Sequence, residues 1–125
     1  GEPREIATLD TPGWNCDVVV DGARAYLADG GKGIVVADVS DPARPRVLGS
    51  TDVGSIARRV FLRGETLFAA AYTRGIAALD VSNPERPAVA AVYPAVNDGR
   101  GVVADERFVY LASGSGGLYV LSYER

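Results

Sequence analysis

The sequence predicts an all-β repeat protein built from three copies of a four-stranded unit, and two observations carry that reading. The first is a period. Gly75-Ile76-Ala77-Ala78-Leu79-Asp80-Val81-Ser82-Asn83-Pro84 repeats Gly33-Ile34-Val35-Val36-Ala37-Asp38-Val39-Ser40-Asp41-Pro42 at an offset of 42 residues, and Gly117-Leu118-Tyr119-Val120-Leu121 follows at the same offset. The second is texture: short β-branched and aromatic runs separated by Gly, Asp-Gly and Asn-Pro signals, with no helical period long enough to compete. A fixed period of this size marks a repeat architecture, in which each unit buries its faces against its neighbours.

Extending the offset both ways divides the chain into repeats 1–42, 43–84 and 85–125 of a single repeat domain. Pro3, Pro45 and Pro87 correspond, as do Val18, Val60 and Val102, and Ala28, Ala70 and Ala112; Tyr26, Phe68 and Tyr110 share one aromatic position. Gly22 and Gly64 share a turn that holds Glu106 in the last copy.

In the middle copy the first strand is expected at 46–51, after Pro45. The others are expected at 59–62, 66–72 and 76–81. Val18-Val19-Val20, Ile34-Val35-Val36-Ala37 and Leu67-Phe68-Ala69-Ala70 are apolar at nearly every position, as strands covered on both faces are. The run after each proline is more polar, as in Arg4-Glu5-Ile6-Ala7-Thr8. Proline cannot donate to a ladder and belongs at an edge or a strand start, so residues 3–10 are expected to form an outer strand. A four-stranded sheet stacked on copies of itself is a propeller blade.

The pattern Asp-Val-Ser-Asp-Pro-x-x-Pro after Gly-Ile-Val-Val, with Asp-Gly-Ala-Arg-Ala-Tyr-Leu-Ala-Asp-Gly before it, resembles the LVIVD repeat family. Gly33, Ile34, Asp38, Val39, Ser40 and Pro42, with their counterparts Gly75 to Pro84, carry the resemblance; Ser122-Tyr123-Glu124 departs from it. It covers the whole chain and implies propeller-like blades in prokaryotic proteins often exported or surface-associated. It implies no reaction.

Propellers close with about 4–8 blades, so three leave two apolar faces bare and an unpaired edge at each end, which invites another chain. The expected solution is a homodimer forming a six-bladed ring, each N-terminal strand completing the other chain's last blade. The alternatives are a natural or engineered self-assembling half-propeller with no ligand, and a fragment that assembles with a missing partner. Gly1-Glu2-Pro3-Arg4-Glu5 has neither a starting Met nor an apolar leader core, so the natural N-terminus and any export signal are expected upstream.

The chemistry is bounded by composition. The 125 residues carry no His and one Cys, 47% hydrophobic and 23% charged residues, and a formal charge of −3. That balance gives no basic footprint for nucleic acid. No apolar run approaches the roughly 18 residues of a membrane span. No cofactor is expected, and zinc is barred by the missing ligands. Asp29-Gly30-Gly31 and Asn97-Asp98-Gly99 offer too few oxygens at calcium-loop spacing. Cys16 lacks a His to act as its base. Asp38 and Asp80 recur beside turns and read as acceptors for turn amides rather than a catalytic pair.

Binding is expected where three variable loops, 11–16, 53–58 and 95–100, enter the innermost strands, assigned to 15–20, 58–62 and 100–104. The candidates at this channel mouth are Trp14, Asn15, Arg58, Arg59, Asp98 and Arg100. In a dimer Arg58 and Arg100 would give four arginines, a cradle for a small carboxylate or phosphate ligand; alternatively each ties blades together by pairing with Asp38 or Asp80. Trp14 stacks on a ligand, plugs the channel or covers the next blade. Tyr72 and Arg74, opposite Gly30 and Lys32 of the first copy, read as variable surface. The functional expectation is a non-catalytic binding or scaffold module with a small anionic ligand or a protein partner; the alternative is a propeller-type enzyme holding substrate in the channel.

Overall fold

The computed structural model describes residues 1–94 and 99–122. Eleven strands are formed among them, arranged as antiparallel sheets of four, four and three strands. Sheet 1 runs β1 (Asp17–Asp21), β2 (Arg24–Ala28), β3 (Ile34–Asp38) and β4 (Arg46–Thr51). Sheet 2 repeats it as β5 (Arg59–Arg63), β6 (Thr66–Ala70), β7 (Ile76–Asp80) and β8 (Ala88–Tyr93). Sheet 3 holds β9 (Gly101–Ala104), β10 (Phe108–Ala112) and β11 (Leu118–Ser122), with a 3-10 turn at Gly114–Gly116 before its last strand.

Each sheet pairs sequence neighbours, so every connection is a hairpin and the register is set locally. Val18 lies opposite Leu27 in sheet 1, and Val60 opposite Ala69 in sheet 2. The outer ladders are irregular in the same way. Leu48 bulges between the Val36–Gly49 and Ala37–Val47 pairs, and Ala90 between Ala78–Ala91 and Leu79–Val89. Each outer strand comes from the sequence repeat after the one supplying the rest of its sheet.

The glycine of the repeated motif has a backbone reason. Gly33, Gly75 and Gly117 have φ of 84°, 83° and 81°, a region that side chains avoid. A Cβ on Gly33 would also run into the carbonyl oxygen of Thr51.

The sheets pack face to face. Tyr26, Ala28, Ile34 and Val36 of sheet 1 meet Val60, Leu67, Ala69 and Leu79 of sheet 2 in one core. Phe68, Ala70 and Ile76, on the opposite face of sheet 2, meet Val102, Val109 and Leu111 of sheet 3 in another. Strands β1, β5 and β9 lie closest together and are therefore innermost. The near-continuous apolarity of β3, β6 and β7 follows, since both their faces are covered.

One expectation is corrected. Residues 3–10 form no strand: positions 1–16 carry no regular secondary structure, and sheet 3 has three strands among the described residues. The reason is that a strand needs a ladder, and residues 3–10 pair with no strand of this chain among the described residues.

Candidate functional site

The expected channel mouth falls where the loops between sheets run into β1, β5 and β9. Three equivalent backbone bonds fix the entry points: the amides of Cys16, Arg58 and Arg100 donate to the carbonyls of Ala28, Ala70 and Ala112 at 2.8, 2.9 and 2.9 Å. Residues 16, 58 and 100 therefore occupy one position around the centre, as their spacing requires. Neighbouring mouths are joined by bridges between Gly30 and Ala57 and between Tyr72 and Gly99.

Arg58 is half-buried, and its guanidinium carbon lies 4.7 Å from the centre of the Tyr72 ring. Its Nε is shielded from solvent and has no hydrogen-bond partner. The tie to an aspartate expected from sequence is not how Arg58 is held. Asp38 accepts from Arg46 at 3.3 Å and from the Ser40 amide, while Asp80 accepts from the Ser82 amide at 2.9 Å. Arg59, exposed beside it, donates Nη1 to the Arg58 carbonyl at 2.8 Å. Arg100 is exposed, and Asp98 lies outside the described residues.

Tyr72, read as surface from the sequence, is the partner that matters. Its φ is 36°, in a region where side chains are strained. The equivalent positions are Gly30 and Gly114, with φ of 61° and 49°. A tyrosine aligned with glycines at a turn was the signal that could have singled it out. Beside it Ser55 and Thr73 share a hydroxyl hydrogen bond of 2.8 Å, which ties the β6–β7 turn to the entry loop of β5. Arg74 is exposed in that turn, its guanidinium laid against Gly54.

The first entry loop is organised by a residue that the sequence did not nominate for this work. Asp29 is fully buried; its Oδ1 accepts from the Thr11 hydroxyl at 2.7 Å and its Oδ2 from the Gly13 amide at 2.9 Å. Asn15 donates to Thr11 in turn, at 2.8 Å. Trp14 projects from this loop with 87% of its surface open, so in one chain it neither plugs nor covers anything. Cys16 is exposed as a free thiol. Asp17 links sheets 1 and 2, its Oδ2 accepting from the Val60 amide at 3.1 Å.

The cationic and aromatic pairing that the structure makes here is Arg58 on Tyr72, while Trp14 stands exposed on the first entry loop. Among the described residues no three His, Cys, Asp or Glu side chains are placed to hold a metal ion. No helix among them is long and apolar enough to cross a membrane.

The profile of the LVIVD repeat family matches residues 12–53 and 54–94. No curated protein matches the chain. Among solved structures, the crystal structure of the computationally designed Ika4 protein is similar with a TM-score of 0.59 at 7% identity, over 98% of this chain and 100% of that one. At that identity the likeness concerns the fold alone.

Proposed function

The chain belongs to the LVIVD repeat family, and from that premise we propose that it is a non-catalytic propeller-type binding or scaffold module that self-associates to complete a six-bladed ring. The carrying observation is where apolar surface remains open. Val18 and Val20 on β1, and Val103, Leu118 and Val120 on sheet 3, are each more than half exposed. Their repeat counterparts show what such positions do when covered: Val60, equivalent to Val18, lies in the core between sheets 1 and 2, as do Ile34 and Val36, equivalent to Leu118 and Val120. On sheet 1 it is the β1 part of the face packed in sheet 2 that stays open, since Ala25, Val35 and Ala37 on that same face are buried, and sheet 3 leaves open the opposite face. The two faces have the complementarity of successive blades, and two chains about a two-fold axis satisfy both at once.

Ring closure would also place two copies of Arg58 and Arg100 around one channel. A guanidinium stacked on Tyr72 with its Nε unpaired supports recognition of a small carboxylate or phosphate there. Light scattering over a concentration series tests the assembly. The expected species is about 26 kDa, twice the 13.1 kDa chain; a monomer throughout would overturn the reading.

A further inference from the structure

Sheets 1 and 2 each end in an outer strand, β4 and β8, and sheet 3 has none among the described residues. The repeat offset identifies what is missing. Residues 4–9 occupy the repeat position of Arg46–Thr51, with Pro3 standing where Pro45 precedes β4. In this structure they pair with nothing, and Ile6 is 62% exposed although its counterpart Leu48 packs on the core between sheets 1 and 2.

We infer that residues 4–9 of a second copy add antiparallel to the edge of β11 that is unpaired among the described residues, so that two chains exchange their N-terminal strands. This rests on the ring reading above and specifies its contact. Carrying over the β3–β4 and β7–β8 ladders places Leu9 opposite Leu118, Thr8 opposite Tyr119 and Ala7 opposite Val120, with Ile6 as the bulged residue.

Two observations fix the occupant. The first is a cleft of about 600 Å³ between sheets 2 and 3, lined along its outer part by Val92 and Tyr93 of β8 and by Val120 and Leu121 of β11. An outer strand of sheet 3 belongs beside β8, at that cleft. The second is the tether. Thr11, Gly13 and Cys16 are bonded to Asp29 and Ala28 of sheet 1, at 2.7, 2.9 and 2.8 Å. In the repeat, β4 belongs to the sheet packed in front of the one that β5 begins. Residues 4–9 therefore belong to a sheet in front of sheet 1, on the face that bears Val18. Sheet 2 covers the opposite face and separates sheet 1 from the chain's own β11. The third sheet of another copy, which has no outer strand among its described residues, fits that place.

Cysteine pairing tests this on the full chain. Directly opposed residues of antiparallel strands have Cα atoms about 4.5–5.5 Å apart, within disulfide reach. In a Cys16→Ser background, Leu9→Cys with Leu118→Cys should oxidise to a linked dimer of about 26 kDa on a non-reducing gel, twice 13.1 kDa. The slipped pair Thr8→Cys with Leu118→Cys points its thiols to opposite faces and should link at least about tenfold more slowly. Equal rates for the two pairs would overturn the register. A dimer by light scattering in which the Leu9→Cys and Leu118→Cys thiols stay unlinked would overturn strand exchange and leave ring closure standing. A monomer with no link would overturn both, and a link within one chain would overturn the second copy as occupant.

Discussion

Tyr72 stands in a backbone conformation that the other two repeats give to glycine, with φ of 36° against 61° and 49° at Gly30 and Gly114. A left-handed non-glycine residue costs about 1–2 kcal/mol. The contact that offsets this is the Arg58 guanidinium 4.7 Å above the ring, and such a cation–π pair is worth about 0.5–2 kcal/mol. The two residues should therefore be energetically coupled. Tyr72→Gly alone gives up the stack and releases the strain, so its net effect on stability is expected within about 1 kcal/mol of zero. Arg58→Ala should destabilise the parent more than it does the Tyr72→Gly variant, with a coupling of about 0.5–1.5 kcal/mol in a double-mutant cycle from urea unfolding. Additive effects would show that the stack contributes nothing. Asp29 is the other residue whose role is set by burial: it holds Thr11 and Gly13 and so decides where the first entry loop lies.

At the scale of elements, the turns after β3 and β7 are closed by the aspartates that end those strands. The Ser40 side chain and amide hold the Asp38 carboxyl below its ordinary value near 3.8, with Arg46 adding to the effect. The Ser82 amide and side chain do the same for Asp80. In the last copy, where Glu106 replaces the turn glycine, Asp105 accepts the amides of Arg107 and Phe108 at 2.8 and 2.7 Å and is lowered by them. A carboxyl whose folded value is depressed contributes stability that is fully present above its unfolded value and is lost as pH falls through the folded one. The urea midpoint should therefore drop as pH falls from about 5 to about 2. It should drop less in the triple variant Asp38→Asn, Asp80→Asn, Asp105→Asn; equal drops would rule these turns out as the source.

Asp38 and Asp80 were legible in the sequence, because a residue that recurs beside Ser-Asn-Pro or Ser-Asp-Pro signals a local bond; Asp105 was not, since Arg63 holds its position in the middle copy. Legible too were the hairpins and the innermost strands, each placed within two residues of β1, β5 and β9. Asp29 was not, since its partners lie 18 and 16 residues earlier and are joined to it only by the fold. The stack of Arg58 on Tyr72 was hidden for the same reason. The strand expected at 3–10 failed for a different one: the pattern of Arg4 to Thr8 is that of an outer strand, but a strand exists only with a ladder beside it.

For the whole molecule, the proposed assembly would draw differently on the apolar patches of β1 and sheet 3 and on the edge of β11 that is unpaired among the described residues, and the two contributions can be separated. In the proposed exchange the edge of β11 would offer backbone groups to residues 4–9 of the second copy, a bond pattern that side-chain changes on β1 leave untouched. The faces offer apolar area, which a charge on β1 would spoil. Val18 is more than half exposed in one chain, so Val18→Lys should leave the fold of the single chain unchanged, with the same circular dichroism spectrum and the same urea slope. In a closed ring the same ammonium would be buried against the partner's sheet 3 without a counter-charge, at a cost of several kcal/mol. At tenfold per 1.4 kcal/mol, self-association should weaken at least about a hundredfold. Sedimentation equilibrium of Val18→Lys reads this directly. A dimer of unchanged affinity would mean that the exchanged strands hold two chains together with the blade faces still apart, and the closed six-bladed ring would have to be abandoned for an open, strand-linked pair.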